Sequence, residues 1–105
     1  MQEPPEIDLV RAKEFFDAKQ ATFVDIRDPT SYERSHIPGA LPLNDANLEA
    51  FIAQTQKDRP VVVCCYHGNS SRGATAFLLQ RGFREVYSLQ GGFEEWRARY
   101  PEVKS

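Results

Sequence analysis

The run Pro60-Val61-Val62-Val63-Cys64-Cys65 constrains this chain more than any other feature. A short, continuous apolar segment rich in β-branched residues reads as a strand buried on both faces, and such strands belong to parallel sheets covered by helices on either side. The flanking sequence agrees with that architecture. Before the run, Leu9, Ala12, Phe15 and Phe16 recur at helical spacing between Leu9 and Lys19, and Thr22-Phe23-Val24-Asp25-Ile26 reads as a strand. Asp28 before Pro29 reads as a helix N-cap with proline at the first helical position, opening a short helix to Arg34. Leu41-Pro42-Leu43 fits only an edge strand, because proline lacks a donor.

A helix is expected over Asp45 to Gln56, with Leu48, Phe51 and Ile52 on one face. After the apolar run come a loop, Tyr66-His67-Gly68-Asn69-Ser70, and a helix from Ser71 to Arg81 with Ala74, Phe77 and Leu78 inward and Gly82 at its C′ end. Glu85-Val86-Tyr87-Ser88-Leu89 reads as the last strand, and Gly91-Gly92 leads into a closing helix around Phe93, Trp96 and Tyr100. Alternating strands and helices argue an α/β fold, a parallel sheet of about five strands with helices on both faces.

The chain has 105 residues, the size of a single domain, and neither a repeat nor a low-complexity segment divides it. About two-thirds of its surface is expected to be buried on folding, enough for one ordinary core. The domain is read as spanning residues 1–105, with 1–5 and 102–105 as loose ends. Thirteen basic residues face 15 acidic ones, a dispersed net charge of −2, so neither nucleic acid nor a membrane surface is expected as a partner. The acidic N-terminus lacks the regions of a signal peptide, and the default location is the cytoplasm.

The two cysteines, Cys64 and Cys65, are adjacent. Neighbouring strand residues point to opposite faces and a vicinal disulfide closes almost no loop, so a structural staple is not expected. With only His36 and His67 to join them, the spacing fits no zinc site, and no cofactor is expected.

In such a sheet, ligands bind at the carboxyl ends of the strands. Here the most buried strand ends in a cysteine, followed by a short polar loop and a helix. Backbone N–H groups from Tyr66, His67, Gly68, Asn69 and Ser70, with the positive helix terminus, can form an anion nest around the Cys65 sulfur. In comparable settings thiol pKa values fall from about 8.5 to between about 3.5 and 7.5, which makes Cys65 a candidate nucleophile. Cys64 lies within the strand and is read as packing. His67 either holds a dianionic substrate as imidazolium, bonds it when neutral, or is merely solvated. Arg72 is a substrate-attracting cation or a solvated surface residue. Ser70 and Ser71 either cap the helix or offer a hydroxyl to sulfur or substrate.

These residues resemble a rhodanese homology domain over nearly the whole chain. The resemblance rests on Val24-Asp25-Ile26-Arg27, on Tyr32-Glu33-Arg34-Ser35-His36-Ile37-Pro38-Gly39-Ala40, on the loop Cys65-Tyr66-His67-Gly68-Asn69-Ser70-Ser71 followed by Arg72, and on Gly91-Gly92-Phe93-Glu94-Glu95-Trp96. It implies a sulfurtransferase in which the Cys65 thiolate takes a sulfur from thiosulfate or another sulfane donor. The sulfur then passes, through a persulfide, to cyanide or to a thiol acceptor such as thioredoxin. By their own placement around the loop, His67, Ser71 and Arg72 are the candidate substrate-binding side chains. Many members carry Arg or Lys after the cysteine, where this chain has Tyr66 and His67. Asp25, Arg27 and His36 are read as framework, Arg27 pairing with a carboxylate such as Glu33 and His36 fixing the turn around Ile37.

The same fold also serves phosphatases and arsenate reductases, whose chemistry needs Cys, five residues, then an Arg that clasps oxygens bidentately. From Cys65 that place falls on Ser71, with Arg72 one residue late, and from Cys64 it falls on Ser70. A non-catalytic interaction module, the remaining alternative, has no need of a cysteine in an anion nest.

Overall fold

In the computed structural model residues 4–100 are described. Five strands, β1 (Glu6–Ile7), β2 (Thr22–Asp25), β3 (Leu41–Pro42), β4 (Val61–Cys64) and β5 (Val86–Leu89), form one sheet in the order β1-β5-β4-β2-β3. Each pairing is parallel. Between and after them lie α1 (Leu9–Ala18), α2 (Pro29–Arg34), α3 (Leu48–Gln54), α4 (Ser70–Gln80) and α5 (Gly92–Arg99). The expected α/β architecture is therefore present. Of the loose ends expected at 1–5 and 102–105, all but Pro4 and Pro5 lie outside the described residues, and the Pro5 carbonyl accepts the Ser88 N–H at 2.9 Å.

The period of two along β4 divides the core. Val62 and Cys64 face a cluster that includes Phe23, Leu89, Phe93 and Trp96 under α1 and α5, while Val61 and Val63 face Phe51, Ile52, Leu78 and Phe83 under α3 and α4. Trp96 is the hub of the first cluster, its ring 5.4 Å from Phe16, 5.8 Å from Phe23 and 5.0 Å from Tyr100. All four residues of β4 are fully buried, as its composition requires.

Two helices differ from the reading of the sequence. α3 starts at Leu48 rather than Asp45, because the Asn44 side chain accepts the N–H groups of Ala46 and Asn47 and the Asn47 carboxamide oxygen accepts that of Asn44. These local side-chain bonds hold 44–47 as turns and compete with helix there. α4 ends as expected on Gly82, whose φ of 102° closes a Schellman motif, with Phe83 N–H on the Leu78 carbonyl and Gly82 N–H on that of Leu79. Phe77, expected inward, stands 38% exposed beside the Arg81 guanidinium, one position off the stripe made by Ala74 and Leu78.

β4 lies mid-sheet with β2 on one side and β5 on the other, and the chain leaves β4 in the direction opposite to that taken from β2. The carboxyl end of β4 is thus the switch point at which a parallel sheet opens a crevice.

Candidate active site

Cys65 follows β4 at that crevice. It continues the parity of Val61 and Val63, so its side chain lies on the α4 side of the sheet and that of Cys64 on the other. The loop Tyr66 to Asn69 then turns back over it into α4. Gly68 makes the turn possible. Its φ is 93°, and a Cβ there would stand 3.0 Å from the Leu89 carbonyl oxygen and 3.1 Å from the Gly91 nitrogen.

Donors converge on the Cys65 sulfur. The N–H of Gly68 reaches Sγ at 3.2 Å, the N–H of Ser71 at 3.3 Å, and Ser71 Oγ lies 3.3 Å away. Burial pushes this thiol up, but the Ser71 hydroxyl and the N–H groups of Ser71, Gly68 and His67 outweigh burial and hold it below the ordinary cysteine value. Cys64 goes the other way: burial, reinforced by Asp25, raises its thiol well above the ordinary range. The two adjacent thiols are thus shifted in opposite directions, Cys64 at the buried end of β4 and Cys65 among the donors just beyond it.

The other expected residues divide by position. Ser71 is fully buried and turns its hydroxyl toward sulfur instead of capping α4, while Ser70, the first residue of the helix, and its N-cap Asn69 are exposed. The Asn69 side chain makes no capping bond. His67 is exposed at the rim and Arg72 is half-buried in the first turn of α4. The Tyr66 phenol leaves the loop for α2, donating to Asp28 and lying 2.9 Å from Ser31 Oγ. That bond, with the Ser31 hydroxyl and N–H, holds the Asp28 carboxyl at about 2.

Two supports of the loop were not singled out from the sequence for this role. The second and third N–H groups of α5 point back at it, Phe93 N–H donating to the Cys65 carbonyl at 2.8 Å and Glu94 N–H to that of Tyr66 at 3.1 Å. Ser88 of β5 lies 2.6 Å, oxygen to oxygen, from Ser71. No periodicity marks Ser88, and a small polar residue inside an apolar strand was the one available signal.

The framework carries one correction. Arg27 pairs with Asp25, not Glu33: its Nε lies 3.1 Å from both Asp25 oxygens, its Nη2 donates to Oδ2 at 2.8 Å and to the Ser35 carbonyl at 2.7 Å. Glu33 lies on the exposed face of α2, whereas Asp25 ends β2 inside the protein, where a buried guanidinium needs its counter-charge. Arg27 also stacks over the Phe93 ring at 4.2 Å, tying β2 to the start of α5. His36 stacks on Tyr32 at 3.8 Å with Nδ1 2.9 Å from the Tyr32 carbonyl, while the Tyr32 phenol donates to the Ala40 carbonyl. The pair thus braces the turn on both sides of Ile37, as expected of His36.

Residues 8–99 match the rhodanese-like domain family. The chain belongs to the rhodanese family. Among its rhodanese relatives is the thiosulfate sulfurtransferase GlpE of Pseudoalteromonas translucida (strain TAC 125), 43% identical over 96 residues that cover 91% of each chain. Two solved structures show the same rhodanese fold. A rhodanese-related protein of Thermoplasma volcanium superposes with a TM-score of 0.82 at 26% identity, covering 96% of this chain and 99% of that one. The Alr3790 protein of Anabaena sp. gives 0.85 at 25% identity, covering 94% and 82%.

Proposed function

We propose that this rhodanese domain is a thiosulfate sulfurtransferase with Cys65 as its nucleophile. The observation that carries the reading is the convergence of the Gly68 and Ser71 N–H groups and the Ser71 hydroxyl on one buried sulfur at 3.2 to 3.3 Å. The thiolate attacks the outer sulfur of thiosulfate, forming a new S–S bond. The old S–S bond breaks, and its electron pair leaves with sulfite. Cys65 then carries a persulfide, an anion of the kind the loop's backbone donors stabilise. Attack of cyanide on the terminal sulfur gives thiocyanate and returns the thiolate, while a thiol acceptor carries the sulfur off as its own persulfide. Splitting the transfer in two through a covalent intermediate implies ping-pong kinetics.

Arg72 in the first turn of α4 supplies positive charge that draws in the thiosulfate dianion, and His67 at the rim offers its ring nitrogens as hydrogen-bond partners. Tyr66, committed to Asp28 and Ser31, serves as a wall of the loop. A small or protein thiol, thioredoxin among them, is the acceptor in the cytoplasm, where such thiols are kept reduced. Among the described residues no helix is long and apolar enough to cross a membrane. A phosphatase is disfavoured because Ser71, in the register where that chemistry needs arginine, spends its side chain on the sulfur.

The test is sulfite release from thiosulfate, followed by thiocyanate formation on adding cyanide. Sulfite in a burst of one equivalent per chain before cyanide is added supports the reading. Hydrolysis of an aryl phosphate without sulfite release would reject it.

A further inference from the structure

Ser88 is out of place by composition. It is fully buried in β5, between Tyr87 and Leu89, where an apolar residue would pack better and an unpartnered hydroxyl would be costly. Its partners explain it. Ser88 Oγ lies 2.6 Å from Ser71 Oγ and 3.5 Å from the Gly68 carbonyl oxygen, and Ser71 Oγ lies 3.3 Å from the Cys65 sulfur. The Ser71 backbone is fixed in turn by Thr75, whose hydroxyl donates to its carbonyl at 2.7 Å. Sulfur, Ser71 and Ser88 therefore form a continuous chain inside the protein, reaching back to the loop that covers the sulfur.

We propose that Ser88 is a positioning residue for the Cys65 sulfur, acting through the Ser71 hydroxyl. This deepens the sulfurtransferase reading and rests on it only for the catalytic consequence. A hydroxyl has one proton to give and two lone pairs to accept with, so the chain has two directions. With Cys65 as thiol, S–H donates to Ser71, Ser71 to Ser88, and Ser88 to the Gly68 carbonyl. With Cys65 as thiolate, both hydroxyls turn: Ser88 donates to Ser71, and Ser71 to the sulfur anion. The second direction is the stronger, because a thiol is a weak donor whereas a hydrogen bond to an anion is charge-assisted, and a donor that is itself receiving a bond is polarised further. Ser88 thus does two things. It keeps the Ser71 hydroxyl in the rotamer that faces sulfur, and it strengthens that hydroxyl as a donor when the nucleophile is ionised.

The experiment measures iodoacetamide labelling of Cys65 against pH in a Cys64→Ala background, for wild type, Ser71→Ala, Ser88→Ala, the double variant and Ser88→Thr, with thermal melts alongside. Ser88→Ala is expected to label about three- to tenfold more slowly below the wild-type midpoint, with the midpoint moved up. Ser71→Ala should lose at least as much, the double variant no more than Ser71→Ala alone, and Ser88→Thr should recover most of the loss. A purely structural serine would lower the melting temperature and leave the titration where it is. Should Ser88→Ala melt out, Ser88→Val, which keeps the shape of the threonine variant without its hydroxyl, is held to the same criterion. An unmoved midpoint in a folded variant overturns the proposal, and so does full additivity of the Ser71 and Ser88 effects. Sulfite release by wild type is scored separately, so failure of the sulfurtransferase reading leaves the labelling result intact.

Discussion

A Cβ on Gly92 would stand 2.6 Å from the Cys65 carbonyl oxygen and 2.5 Å from that of Tyr66. Both are backbone atoms, and the same carbonyls receive the α5 N–H groups of Phe93 and Glu94. The Cys65 loop and the N-terminus of α5 are thus clamped main chain to main chain, at a distance no side chain allows. Gly92 also has φ +60°, so alanine adds backbone strain to the clash. Gly92→Ala should cost about 2–4 kcal/mol of stability and most of the sulfite-releasing activity, as read by urea denaturation and a thiosulfate assay. Near-native values for both would mean that the loop does not depend on the clamp.

The buried pair of Asp25 and Arg27, with side chains 0% and 4% exposed, gives a second prediction. Asp25→Asn leaves a buried guanidinium without its counter-charge and should cost about 3–5 kcal/mol. Glu33→Ala, on the exposed face of α2, should stay within about 0.5 kcal/mol of wild type. Urea midpoints measure both, and the reverse ranking would restore Glu33 as the partner of Arg27.

For Cys65 the sign of the pH dependence follows from a thiol held below its ordinary value by the Ser71, Gly68 and His67 donors despite burial. A group whose folded pKa is depressed stabilises the fold fully above its unfolded pKa, about 8.5 for cysteine, and that contribution is lost as pH falls through the folded value. Stability should therefore rise with pH across the window between the two, in wild type but not in Cys65→Ser. Parallel stability curves for the two proteins, measured by denaturation at a series of pH values, would contradict the thiolate assignment.

Most of the frame could be read from the chain because its signals are local. The apolar run of β4, the Asp28-Pro29 start of α2 and the Gly82 stop of α4 each report a backbone requirement that the residue itself satisfies. What escaped depends on contacts between distant segments. Arg27 finds Asp25 two residues away, but only the packing of α5 over β2 makes that pair buried and decides against Glu33. The late start of α3 turns on Asn44 and Asn47, whose side chains bond the backbone in a way that hydrophobic spacing does not register. Within the loop, the cysteine stood out by type and place, whereas the contact from Ser88 crosses from another strand and leaves no periodic trace.

Arg72 tests the charge at the mouth of the site. Removing a partly exposed cation of this kind should weaken thiosulfate binding by about 1 kcal/mol, and the loss should shrink as salt rises. Arg72→Ala is thus expected to raise KM several-fold at low ionic strength with kcat little changed. A collapse of kcat at every salt concentration would instead give Arg72 the part of an oxyanion clamp.

The central claim is that one sulfur atom rests on Cys65 between the two half-reactions. Mass spectrometry of the intact protein after thiosulfate, followed by peptide mapping, measures it directly. Wild type and Cys64→Ala should each gain the mass of one sulfur atom on the Cys65 side chain, lose it on adding cyanide, and release one sulfite per chain. Cys65→Ser should gain none. Sulfur on Cys64, or full turnover by Cys65→Ser, would contradict the assignment.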